Sequence, residues 1–105
     1  MNPLMNNTKW EELRQAMSCL GPDSPRWLTK TMGSGYLSEW DGDWFYHFQL
    51  GGYAAIEWVG IRIKSDSQKE RALAALKQIH VPGFATESGY QVVGHAEACQ
   101  TLDYL

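Results

Sequence analysis

The sequence predicts an α+β domain: an N-terminal helix, an antiparallel β-meander of three to four strands, a second helix and a C-terminal strand. Three observations predict it. Two segments repeat apolar residues at helical spacing behind capping residues, the aromatic-rich middle alternates β-prone runs with tight-turn pairs, and no repeat, linker or low-complexity tract intervenes. A chain of 105 residues, 44% apolar, is expected to form one domain over 1–105 and to bury roughly two thirds of its unfolded surface.

Thr8-Lys9-Trp10-Glu11 reads as a capping box. Trp10, Leu13, Met17 and Leu20 follow at helical spacing until Gly21-Pro22, which places the first helix at 9–20 and leaves residues 1–7 expected to fray. Arg26 to Met32 is a first strand, broken by Gly33-Ser34-Gly35. Tyr36–Trp40 and Asp43–Leu50 flank Asp41-Gly42, a pair suited to a two-residue type I′ hairpin, and Gly51-Gly52 turns the chain into a strand at Tyr53–Ile63. Ser67-x-x-Glu70 starts the second helix, with Ser65 and Asp66 as alternative caps. Ala72, Leu73, Leu76 and Ile79 form its apolar stripe. Val81-Pro82-Gly83 stops it, Tyr90–Gly94 is a further strand, and residues 96–105 suggest one turn of helix.

Pairing across the two expected turns sets Glu39 opposite Trp44, Leu37 opposite Tyr46, Phe45 opposite Trp58 and His47 opposite Ile56. One face collects Leu37, Trp44, Tyr46, Phe48 and Leu50; the other collects Tyr36, Trp40, Phe45, His47 and Trp58. Both faces are apolar, so both need a cover: a helix on each, a partner, or a second copy of the chain.

Charge is unevenly distributed. Residues 31–61 hold four acids (Glu39, Asp41, Asp43, Glu57) and no Lys or Arg, whereas residues 62–77 hold five bases against two acids. A nucleic-acid binder interleaves aromatics with bases; here the aromatic segment is the acidic one, which disfavours nucleic acid and suits a basic protein partner. The opening MNPLMNNTKW has no basic or apolar leader region, and no apolar run approaches the ~20 residues that span a bilayer. Together with two cysteines, Cys19 and Cys99, in no C-x-x-C spacing, this implies reduced thiols in the cytoplasm, with Cys19 buried beside Met17 and Leu20.

Motifs for chemistry are missing. Glu39-x-Asp41-x-Asp43 lacks the glycine and twelfth-position glutamate of a calcium loop, and the expected hairpin makes its carboxylates diverge. His47, His80 and His95 form no zinc pair. GSG at 33–35 is no nucleophile elbow, and the glycines make no phosphate loop. No catalytic residue, metal or cofactor is therefore expected.

The set NNTKWEELR, SPRW, WDGDWFYHF, GGYAAIEW and IHVPG resembles a family of small bacterial proteins of unknown function, over residues 5 to about 95. The resemblance brings no catalytic residues. It implies, by analogy with other small acidic bacterial chains, an immunity protein that neutralises a toxin by covering its active site. The expected partner surface comprises Tyr36, Glu39, Trp40, Asp41, Asp43, Phe45, Glu57 and Trp58, facing a basic toxin domain. The alternatives are a small-ligand or catalytic domain with a pocket of Trp44, Tyr46, His47 and Trp58, and a homodimer sealing the second sheet face.

Overall fold

The computed structural model describes residues 2–97 and 102–105. In chain order the elements are β1 (Asn2–Pro3), α1 (Asn7–Ser18), β2 (Arg26–Thr31), β3 (Ile56–Arg62), α2 (Asp66–Ile79), β4 (Gly83–Ala85), β5 (Gly89–Val93) and β6 (His95–Ala96). The fold is α+β: two helices, a four-stranded antiparallel sheet in the order β2-β3-β5-β4, and a small β1-β6 ribbon.

Both helices form where the apolar period predicts, with different caps. Asn6, rather than Thr8, caps α1: its Oδ1 accepts from the Lys9 amide at 2.8 Å, a contact of about 1 kcal/mol. The earlier start is possible because the preceding segment is anchored rather than frayed. Asn2 and Pro3 pair with Ala96 and His95, the Leu4 amide donates to Gly94 O, and Met5 is buried. In α2, Ser65 Oγ accepts from the Gln68 amide while Gln68 Oε1 accepts from the Lys64 amide, so the reciprocal cap begins at Ser65 and not Ser67. The helix ends at His80, whose left-handed φ of 62° lets its amide reach the carbonyls of Leu76 and Lys77.

The sheet has one covered face. Trp27 pairs with Ile61 and Val59 with Val92. These side chains share a core with Trp10, Leu13 and Met17 of α1 and Ala72 and Leu76 of α2. Alternation along the strands sends Leu28, Trp58, Gly60 and Gln91 to the opposite face. The helices touch each other and cover the same side, so they do not divide between the two faces.

The expected strands at 36–40 and 43–50 are replaced by an irregular segment. Residues 37–41 follow the free edge of β2 through two isolated bridges, Lys30 with Leu37 and Trp27 with Asp41, which also shields that edge. The chain then turns into a single 3-10 turn at His47–Gln49. Gly51 and Gly52, both at φ near 77° (78° and 76°), redirect it to β3 rather than closing a hairpin. Gly42 is not in the left-handed region that a type I′ turn requires.

The reason is local. Asp41 Oδ1 accepts from the Asp43 amide at 2.7 Å, and Asp43 Oδ1 accepts from the Phe45 and Tyr46 amides at 2.9 and 3.1 Å. Side-chain oxygens thus take the donors that a ladder would have used. Burial agrees: Trp44 and Phe48 are in the core while Tyr46 between them is exposed, the spacing of a helical turn rather than a strand.

At the other end Tyr104 bridges Pro82, the Leu105 amide donates to Val81 O and the Gly83 amide to Asp103 O. Residues 102–105 are extended here, not helical; the remainder of the helical turn expected at 96–105, and Cys99, fall on or beside residues 98–101, outside the described residues. Cys19 is exposed, because α1 stops at Ser18 and leaves it as the C-cap. Among the described residues no helix is long and apolar enough to cross a membrane.

Candidate functional site

The 36–50 segment is held from below by three aromatic anchors. Trp44 Nε1 donates to Pro25 O at 2.7 Å and Trp27 Nε1 to Asp43 O at 3.2 Å. Phe48 lies 4.7 Å from the Trp44 ring and 5.0 Å, edge-on, from Trp27. Loss of a buried ring of this size costs about 3–5 kcal/mol, so this cluster fixes the loop to the domain.

A second support comes from α1. Arg14, only 10% exposed in its side chain, makes two hydrogen bonds to Glu11 Oε2. It also donates to Phe45 O at 2.6 Å and lies 5.2 Å from the Phe45 ring centroid. The Tyr53 hydroxyl donates to the other Glu11 oxygen. Arg14, then Tyr53, hold the Glu11 carboxyl below its ordinary range, and burial followed by the Glu11 charge pushes the Tyr53 hydroxyl up to about 12. With its acid ionised and its phenol protonated, the trio is a brace.

The loop is also clasped internally. His47 Nδ1 lies 2.8 Å from Asp41 Oδ2, and its Nε2 is 3.8 Å from Asp43 Oδ2. The Asp41 carboxylate raises the His47 pKa. Burial pushes the Asp41 carboxyl up, but the Asp43 amide and His47 outweigh it and hold it below its usual range. The two carboxylates that a hairpin would separate therefore converge on one imidazole. Among the described residues no group of three metal-ligating side chains is placed to hold an ion.

The predicted partner surface separates into four groups. Tyr36, Glu39 and Phe45 are exposed on the loop. Asp41 and Asp43 are tied into the loop's own hydrogen bonds, so they support the surface rather than project from it. Trp40 and Trp58 lie on the open sheet face, both within 3.6 Å of where a Cβ on Gly60 would stand. Glu57 pairs with Lys30 at 3.4 Å.

Leu37, Tyr46 and Leu50, left out of that surface, are as exposed as its best members. Spacing marks only Tyr46, which falls midway between the buried Trp44 and Phe48, four residues apart on one side of a helical turn; nothing in the sequence marks Leu37 or Leu50. The alternative pocket of Trp44, Tyr46, His47 and Trp58 does not form. Trp44 is in the core, Tyr46 and His47 are exposed, and Trp58 belongs to the other side of the sheet.

A protein-family model described as a family of unknown function (DUF6678) matches residues 1–99. No curated protein and no solved structure matches the chain.

Proposed function

The chain belongs to this family of unknown function, and from that premise we propose that it is a cytoplasmic protein-binding module whose 36–50 loop docks a basic protein partner. One observation carries this. Of the seven large apolar side chains exposed among the described residues, five (Tyr36, Leu37, Phe45, Tyr46 and Leu50) belong to this one loop, each 53–71% exposed. Exposed apolar groups concentrated in this way are a common mark of an interaction surface.

The loop's construction supports the same conclusion. Tyr and Phe on a braced backbone present large contact area and lose little conformational freedom on binding. The loop follows the edge of β2, whose six residues extend about 20 Å, a reach appropriate to a protein interface. Glu39, with no Lys or Arg anywhere from residue 31 to 61, would steer a basic partner toward it. The most concrete form is an immunity protein that neutralises a toxin domain by covering its basic active site; no catalysis by this chain is needed.

The test uses variants that leave Asp41 and Asp43 intact, because changing them would unfold the loop as well as alter its charge. A toxin domain encoded beside this gene is co-expressed with the parent chain or with a Tyr36→Ser, Tyr46→Ser variant. Binding by the variant should weaken by about 30-fold or more, with neutralisation lost and the thermal transition unchanged. Glu39→Lys should slow association at low salt about tenfold. Neutralisation undiminished by all three substitutions would exclude the loop as the docking surface.

A further inference from the structure

We propose that the open face of the sheet is a separate small-molecule site that takes an aryl carboxylate, with its ring over Gly60 and its carboxylate between Arg26 and Arg62. The site shares Trp40 with the 36–50 loop but none of that loop's exposed apolar side chains, and its chemistry is opposite in charge.

The register builds it. Leu28 pairs with Gly60, Gly60 with Gln91, and Gln91 with Phe84, so one row crosses the uncovered face of all four strands. Gly60 is the low point of that row. A Cβ there would stand 3.5 Å from Trp58, 3.6 Å from the tip of Trp40 and 3.7 Å from Leu28. The missing side chain leaves a groove of about 230 Å³ between the two indoles, Gln91 and the β4–β5 turn. An apolar cavity of about 150 Å³ accepts one benzene ring; this groove has room for a ring with a short polar arm, and is too small for a folded partner.

The adjacent row supplies the charge. Arg26 pairs directly with Arg62, and alternation places both on the face of Leu28 and Gly60. Like charges directly opposite one another across two strands are destabilising, and neither arginine has an ion pair among the described residues. Two neighbouring charges are already engaged. Lys30, on the same face, is paired with Glu57. Asp41 feels the Arg26 charge but is bound by His47 and the Asp43 amide.

The Arg62 guanidinium sits 5.0 Å from the Trp40 ring centroid, which holds its planar fork beside the groove. A carboxylate between the two guanidiniums would relieve their repulsion and accept charge-assisted hydrogen bonds. Thr86, Ser88 and Gln91 add polar groups at the rim. A flat apolar floor with, at one end, two arginines outside any ion pair among the described residues is complementary to an aromatic acid.

Phenylacetate is the probe, and its neutral amide the control. Titrated into isotope-labelled protein at low salt, phenylacetate should bind saturably with Kd of about 1 mM or tighter. It should shift the Trp40 and Trp58 indole N–H signals and the Gly60 and Gln91 amides. Phenylacetamide should bind about tenfold more weakly. Arg26→Gln with Arg62→Gln should reduce phenylacetate to the affinity of the amide, and Gly60→Leu should abolish both. The comparison of acid with amide needs only the parent chain, so it stands even if a variant fails to fold. Equal affinity for acid and amide, shifts confined to other parts of the protein, or no saturation would each overturn the proposal.

Discussion

Replacing Arg14 by methionine tests whether the loop is braced by α1. Methionine keeps most of the aliphatic packing of the arginine stem, so the loss is chiefly polar. The guanidinium donates to Phe45 O at 2.6 Å from a side chain only 10% exposed, and a hydrogen bond to a charged group of this kind contributes about 1.5–3 kcal/mol. Its contact with the Phe45 ring at 5.2 Å adds about 0.5–1 kcal/mol at an exposed aromatic. The pair with Glu11 adds little, because the glutamate is more than a third exposed. The expected destabilisation is about 2–4 kcal/mol, which lowers Tm by about 9–18 °C in a domain of this size.

Circular dichroism melts and urea midpoints measure it, with an unchanged m-value showing that the native state remains compact. Glu11→Gln separates the two parts of the brace, since it removes the ion pair while Arg14 still reaches Phe45 O. Its effect should be clearly smaller. A fall in Tm below about 2 °C for Arg14→Met, or equal effects from the two variants, would refute the idea that the bond from α1 to the loop backbone is what counts.

Two further outcomes follow from single side chains. The Tyr90 hydroxyl is buried with no hydrogen-bond partner among the described residues, and burial alone raises its pKa; Tyr90→Phe should therefore leave stability unchanged or raise it by about 1 kcal/mol, and a clear fall in Tm would show that the hydroxyl is satisfied in solution. For His47, whose pKa the Asp41 hydrogen bond raises, the stabilisation is full below the ordinary imidazole pKa of about 6.5 and is lost as pH rises through the raised value. Asp41, with its pKa lowered, contributes above its ordinary carboxyl range and loses that contribution as pH falls through the lowered value. The clasp is thus strongest in mildly acidic solution. An NMR titration should place the His47 pKa above about 6.5, and the protection of the Phe45 amide from hydrogen exchange, relative to its intrinsic rate at each pH, should fall at higher pH in the parent chain but not in His47→Gln; an unshifted imidazole would remove the clasp from the account.

Elements held by their own period were legible from the residues: Trp10, Leu13 and Met17 in α1, Leu76 in α2, and Val59 and Ile61 in β3 are all buried. The order of the sheet was not, because it depends on residues 43–50, where two signals competed. Asp41-Gly42 is a strong hairpin signal, but Asp41 and Asp43 are also residues whose side chains cap turns, and here the caps prevail. The sequence did contain the deciding clue. A hairpin through Asp41-Gly42 made both sheet faces apolar, and a small domain cannot cover both with two helices that also pack on each other. Taking Trp44 and Phe48 as one inward-facing pair, four residues apart, removes that difficulty. It sends Phe45 and Tyr46 outward and frees β3 to pair with β5. The apolar excess that looked like a second buried face is thereby divided in two: an exposed aromatic loop along the edge of β2, and a shallow groove over Gly60 between Trp40 and Trp58. A surface assembled from Trp40, Trp58, Asp41 and Asp43 together mixes these two places, and substitutions chosen from it would have altered loop stability, groove chemistry and docking at once.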